Sequence, residues 1–301
     1  MKLNRSHSEL SEDVFILHDR MFPVYLIKGD RNFLIDAAIT AYQENIYKKL
    51  ISLLNGANLD SVLLTHSHYD HTGSIPFLQK KFKLDVSGSM RTVDLLRKKK
   101  VRDFIGDMNK IFSRSLGISQ AAGFQEIKHL LPLNDGERIR IDKDRYLRVI
   151  ATPGHTRCSI SFILMPQKIL FPGDAAGVLE KNNKYKPLFL SDYTAYISSL
   201  RKLMKEDAEI LCPPHNSHIK GREKIKNHLY RAEQSASALK DKILSSLEKG
   251  LEIEEVTKLV LEKEFPLPVV EGPEKAFYIN FASMVHAVNR PIADRIMKKE
   301  R

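Results

Sequence analysis

The stretch Thr65-His66-Ser67-His68-Tyr69-Asp70-His71 decides the reading of this chain. It follows an apolar run over 59–64 that reads as a strand, and it leads into Thr72-Gly73. Side chains two apart on extended backbone point the same way, so His66 and His68 share a face. Asp70 and His71 fall in the turn or helix start that follows. Imidazole and carboxylate are the natural ligands of zinc, iron and manganese. Asp70 alone is explained equally well as a helix cap. Three histidines and an aspartate packed at one strand end are not.

Three further pieces repeat the same placement. Thr152-Pro153-Gly154-His155-Thr156 follows the apolar strand over 147–150. Pro172-Gly173-Asp174 follows the run over 168–171, and Pro213-Pro214-His215 follows the run over 210–212. Each is weak by itself, since a lone histidine after a strand is more often a surface or core residue. Together they are informative, because ligands carried by several strand ends converge on one rim. His215 is preferred to His218 as the late ligand because it directly follows the strand and its proline turn. Asp36, at the end of the strand over 32–35, is expected to support the site rather than to bind metal. Thr65, Thr152 and Thr156 are candidate hydrogen-bond partners of the ligands, turn capping being their ordinary role.

In these four pieces the sequence resembles the metallo-β-lactamase superfamily over roughly residues 10–225. The resemblance implies a four-layer αββα sandwich of the α/β class, with metals at one edge. By it, His66, His68 and His155 would bind one ion, Asp70, His71 and His215 a second, and Asp174 both. The implied cofactors are two divalent metal ions, zinc first, with iron or manganese as alternatives. A hydroxide bridging the two would be the nucleophile, with Asp70 orienting it and moving its proton. Tyr69 is the other catalytic candidate, as a phenol donating to the substrate, against the plainer reading that it packs.

The surrounding chain sets the frame. The 301 residues suit one large domain or one domain with an appendage. Short β-rich runs over 14–17, 24–27 and 32–35 read as a meander around Gly29-Asp30. Helical spacing is expected over 41–54, 75–81, 194–205 and in a long basic stretch over 92–116. From about residue 221 only helical patterns remain, over 222–249, 253–261 and 276–287, with Pro291 expected to kink or restart the last. The expected division is therefore a catalytic domain over 1–221, carrying a helical insert at about 91–125, and a helical region over 222–301 that covers the site. Phe277, Tyr278, Phe281, Met284 and His286 are candidates for an apolar wall there, helix packing being the alternative.

Composition narrows the function classes. The formal net charge is +11 and the apolar fraction 43%, with no run long enough to cross a bilayer. The opening residues are polar and lack an apolar signal core, so a cytoplasmic protein is expected. The two cysteines, Cys158 and Cys212, make no disulfide scaffold and read as small buried residues. The basic run from Arg97 to Arg102 reads as a solvated helix face; attraction of an anionic small substrate is an additional role, and a nucleic-acid partner is not expected.

The superfamily fixes a site and not a substrate. Length and layout resemble its quinolone-signal-response proteins and, more distantly, its small thioesterases and lactonases. The expected activity is hydrolysis of a carboxylic ester or thioester, acyl-CoA included, with a small anionic or acyl molecule as substrate and no membrane partner. The alternative is a phosphodiesterase acting on a small phosphodiester or nucleotide, toward which the positive charge leans. The tRNA-processing members carry glycine where this chain has Tyr69, which argues against RNA. A regulatory metal protein with little catalysis ranks lower, because all seven ligand positions are filled. A homodimer through the long insert is allowed for.

Overall fold

The computed structural model describes residues 8–18, 21–118, 124–180, 184–213, 215, 218–265 and 274–299. They fall into two units. The first comprises Met1–Ala151, Cys158–Gly173 and Asp207–Ile225, the second Thr152–Arg157, Asp174–Glu206 and Lys226–Arg301.

In the first unit the apolar runs become strands buried on both faces, which is why they lack a clean polar alternation. One sheet has seven strands in sequence order: β1 (Ser8–Ser11), β2 (Val14–His18), β3 (Val24–Ile27), β4 (Phe33–Ile35), β5 (Ser61–Leu63), β6 (Asp85–Ser89) and β7 (Leu130–Leu133). It is antiparallel from β1 to β4 and parallel from β4 to β7. The change of sense follows from the connections. Hairpin loops join the early strands, and helices carry the chain back between the later ones. These are α1 (Gln43–Leu54) between β4 and β5, then α2 (Tyr69–Thr72) and α3 (Ile75–Lys81) between β5 and β6.

The second sheet contains β8 (Arg138–Arg140), β9 (Tyr146–Ala151), β10 (Ile160–Met165) and β11 (Ile169–Phe171), extended by Ile210–Leu211 and Ile219–Lys220. Inner faces of both sheets meet in one core. Val14, Tyr25, Ile27, Phe33 and Leu63 from the first sheet pack with Leu147, Val149, Phe162, Leu164 and Phe171 from the second. Burial of this apolar area is the main stabilising contribution. Cys212 lies in that core and Cys158 is buried as well, as the composition suggested.

The basic insert forms two helices and not one, α4 (Met90–Arg97) and α5 (Lys99–Ser115). Lys98 takes an extended conformation between them, and Arg102 Nη1 donates to the carbonyls of Leu96 and Arg97, capping the broken end. Strand β7 escapes the sequence pattern because Pro132 interrupts it. It is an edge strand, where a missing N–H is tolerated. Beyond the strand Ile210–Leu211, Ile219–Lys220 pairs with it antiparallel.

The second unit is mainly helical: α6 (Tyr193–Met204), most of α7 (Arg222–Glu248), α8 (Ile253–Glu264) and α9 (Glu274–Lys299), with a two-stranded ribbon of Val178–Leu179 and Tyr185–Lys186. On α7, Leu229, Ala232, Ala236, Leu239 and Ile243 recur at helical spacing and are buried. Phe277, Phe281 and Met284 of α9 are buried too, and the Phe281 ring packs on Phe265 at 4.8 Å, so these residues serve helix packing. Helix α9 is one element through Pro291 and does not restart there. Among the described residues no helix is long and apolar enough to cross a membrane.

Candidate metal centre

Strands β4 and β5 run parallel, with Ile35 opposite Leu63, so the residues that follow them emerge side by side. Asp36 follows β4 and takes the left-handed conformation, φ 58°, which aspartate tolerates better than most residues. Its carboxylate accepts three hydrogen bonds. The Thr65 amide donates to Oδ1 at 2.9 Å, the Thr65 hydroxyl to Oδ2 at 2.9 Å, and His71 Nδ1 to Oδ2 at 2.8 Å. With its proton given to Asp36, the Thr65 hydroxyl oxygen accepts from Nδ1 of His66 at 3.1 Å. Both imidazoles therefore carry the proton on Nδ1, which assigns cation binding to Nε2. Asp36 supports the candidate ligand His71 by a hydrogen bond, as expected, and Thr65 is the hydrogen-bond partner of His66.

The His66 ring lies 4.5 Å from that of His68 and 4.1 Å from that of His71. His68, in extended conformation, immediately precedes α2, which carries Asp70 and His71. Across the unit, His215 donates from Nδ1 to the carbonyl of Met21, and its ring stands edge-on to Phe22 at 5.8 Å. One ligand atom from each of Asp70, His71 and His215 lies within 4.8 Å of the others. His218 is not in that group; burial, helped by the nearby Lys220 ammonium, holds its imidazole below the usual histidine range. Tyr69 turns its ring onto Phe112 of α5 at 5.3 Å, and its carbonyl accepts from Asn109 Nδ2 at 3.2 Å. The insert thus packs directly on the histidine motif.

In the second unit, Gly154 holds φ at 129°, and a Cβ there would fall 2.2 Å from the Tyr196 nitrogen. The loop can therefore approach α6 only with glycine. It is fastened by Ser199 Oγ donating to the Pro153 carbonyl at 2.7 Å and by the Ser191 amide donating to the Gly154 carbonyl at 3.0 Å. His155 then donates from Nδ1 to the Leu188 carbonyl at 2.8 Å, and its Nε2 lies 3.2 Å from Asp174 Oδ2. His155 is 1% exposed and Asp174 5%, a burial that a histidine–carboxylate pair tolerates when hydrogen-bonded or bound to a cation. The Met21 and Leu188 carbonyls were not readable as partners, because backbone acceptors carry no residue signature.

The donor chemistry fits divalent metal. The ligand types are nitrogen and oxygen, four of the rings have Nδ1 tied to an acceptor or hydroxyl, and a carboxylate stands beside imidazole in each unit.

A model of the metallo-beta-lactamase superfamily matches residues 23–215. The chain is 31% identical over 179 residues to a hydroxyacylglutathione hydrolase of Haemophilus influenzae, covering 56% of this chain and 75% of that protein. It is 26% identical over 219 residues to an acyl-coenzyme A thioesterase of Gallus gallus, covering 66% and 75%. Among solved structures, a metallo-beta-lactamase family protein of Thermus thermophilus superposes with a TM-score of 0.70 at 19% identity, covering 95% of each chain.

Proposed function

The chain belongs to the metallo-β-lactamase superfamily as a hydrolase of that fold, and on this premise we propose that it cleaves a carboxylic thioester or ester, acyl-CoA among the candidates. The observation that carries the choice is that the relatives just described are named for thioesters, one a hydroxyacylglutathione and one an acyl-coenzyme A hydrolase.

In this reading His66, His68 and His155 would hold one divalent ion, Asp70, His71 and His215 would hold a second, and Asp174 would serve both. Zinc is the first choice, with iron or manganese the alternatives. Divalent ions held there would supply polarisation of the acyl carbonyl and a lowered pKa of water. The remaining work falls to side chains. Asp70, whose Oδ2 is 3.9 Å from His71 Nε2, orients the attacking water and accepts its proton at a carboxylate oxygen. It returns that proton to the departing thiolate or alkoxide. Tyr69 donates its phenolic hydrogen to the substrate. Asp36 and Thr65 keep His66 and His71 in one tautomer through the cycle.

A small phosphodiester is the second reading, favoured by the net charge of +11. The test is turnover of acyl-CoA thioesters, acyl esters, lactones and bis-aryl phosphodiesters by one metal-replete sample whose metal content is counted. A kcat/KM of about 10⁴ M⁻¹s⁻¹ or more on thioesters is expected. Preference for phosphodiesters would replace the first reading with the second. Two bound ions with no turnover of any class would favour a regulatory role.

A further inference from the structure

Strand β3 carries a phenol where its neighbours carry hydrocarbon. Tyr25 and Ile27 alternate onto the face that meets the second sheet, and both lie in the core between the sheets. A hydroxyl in such a place costs stability unless it is hydrogen-bonded. Tyr25 is 3% exposed, and its hydroxyl donates to the carbonyl of Pro213 at 3.0 Å, across 188 residues of sequence. Its ring packs edge-on against Phe171 at 5.2 Å. Pro213 follows the strand Ile210–Leu211 and stands two residues before His215. Four residues before Tyr25, the Met21 carbonyl takes the proton of His215 Nδ1. One short segment therefore grips the late loop twice, once on its backbone and once on the ring.

We propose that Tyr25 is a positioning residue for His215, fixing through Pro213 the place and tautomer in which that imidazole meets a cation. The proposal rests on His215 being a ligand, as assigned above. The ring nitrogen that binds is chosen by the Met21 carbonyl, and the reach of that contact is set by where Pro213 is held. The Cys212 amide still donates to the Leu170 carbonyl at 2.8 Å, but Pro213 has no N–H to continue the ladder, so at Pro213 the contact with Tyr25 takes its place.

The test is Tyr25→Phe, which keeps the ring against Phe171 and deletes only the hydroxyl. Phe171→Leu serves as the control that disturbs the same packing and leaves the hydroxyl in place. Two readouts are taken. The first is the tautomer of His215 in metal-free protein, from nitrogen-15 NMR of labelled histidine with His215→Gln to assign the signal. The second is zinc affinity by competition with a chelator. Tyr25→Phe should convert one Nδ1–H form into a mixture and weaken the later-filled zinc about tenfold, with the first zinc unchanged. Phe171→Leu should lower the melting temperature without moving the His215 signal. An unchanged His215 signal in Tyr25→Phe overturns the proposal, whatever the metals do. A wild type that binds a single zinc instead overturns the two-ion reading, while the NMR comparison still decides the role of Tyr25.

Discussion

Asp36 Oδ2 lies 2.8 Å from Nδ1 of His71, and the same carboxylate receives the amide and hydroxyl of Thr65. One buried side chain thereby ties the end of β4 to the end of β5 and sets the tautomer of His71. Asn at position 36 separates these two duties. Its amide oxygen still accepts from Thr65, and its NH₂ then faces His71 Nδ1, which favours the other tautomer. Asp36→Asn should therefore cost only about 1 kcal/mol of stability but about tenfold or more in metal affinity. Asp36→Ala strands all three donors and should cost about 2–4 kcal/mol. Urea unfolding and chelator competition measure the two effects. Equal metal affinity in wild type and Asp36→Asn would remove the tautomer argument.

Gly154→Ala is the sharpest test of how the second histidine loop is placed. The added methyl carbon would stand 2.2 Å, 2.3 Å and 2.6 Å from three Tyr196 atoms, two of them backbone, at a φ of 129°. Neither helix α6 nor the loop can give way without losing the Ser199 and Ser191 bonds. The expected loss is about 2 kcal/mol or more in denaturant unfolding. A variant as stable as wild type would show that the loop relaxes away from α6.

The strands that lead into the histidines were legible because burial on both faces leaves apolar runs bounded by turns. The candidate ligands stood out because His66, His155, Asp174 and His215 each come within a short turn of such a run, and His68, Asp70 and His71 crowd behind the first. Helix α3 is where the sequence pattern places it, at Ile75–Lys81. What escaped had a physical reason in each case. Ser8–Ser11 is polar and lies at a sheet edge, and Leu130–Leu133 contains a proline. The break at Lys98 comes from a guanidinium capping two carbonyls, which no helical periodicity reports. Tyr25 reads in sequence as one more β-forming aromatic; only the fold shows that its hydroxyl reaches Pro213.

Tyr69 separates packing from chemistry. Its ring contact with Phe112 survives in Tyr69→Phe, so stability should change by less than about 0.5 kcal/mol. Loss of a hydrogen bond made to the substrate in the transition state should lower kcat about tenfold, with metal content unaltered. Steady-state kinetics on the preferred thioester checks it. An unchanged kcat would leave Tyr69 as the platform on which the insert packs.

The last prediction concerns acid sensitivity. His228 of α7 is 3% exposed, and its Nδ1 lies 3.0 Å from the Tyr185 hydroxyl, with the Arg231 guanidinium over the Tyr185 ring at 4.9 Å. Burial, and then the Arg231 charge, push its pKa down to about 4. In the unfolded chain the value returns to about 6.5. Above about pH 6.5 the residue is neutral in both states and stability does not depend on it. Between about pH 6.5 and 4 the unfolded chain binds the extra proton, so stability falls as pH falls; below about 4 the loss is complete. The full effect is at most about 3 kcal/mol. Asn at position 228 retains a polar group for Tyr185 and does not titrate. Urea unfolding of wild type and His228→Asn, both metal-free, should give stability curves that run parallel above about pH 6.5 and separate progressively as pH falls from there to about 4, wild type losing more. All other groups are common to both proteins, so the difference isolates His228. Parallel curves throughout would mean that His228 protonates in the folded protein as readily as in the unfolded one.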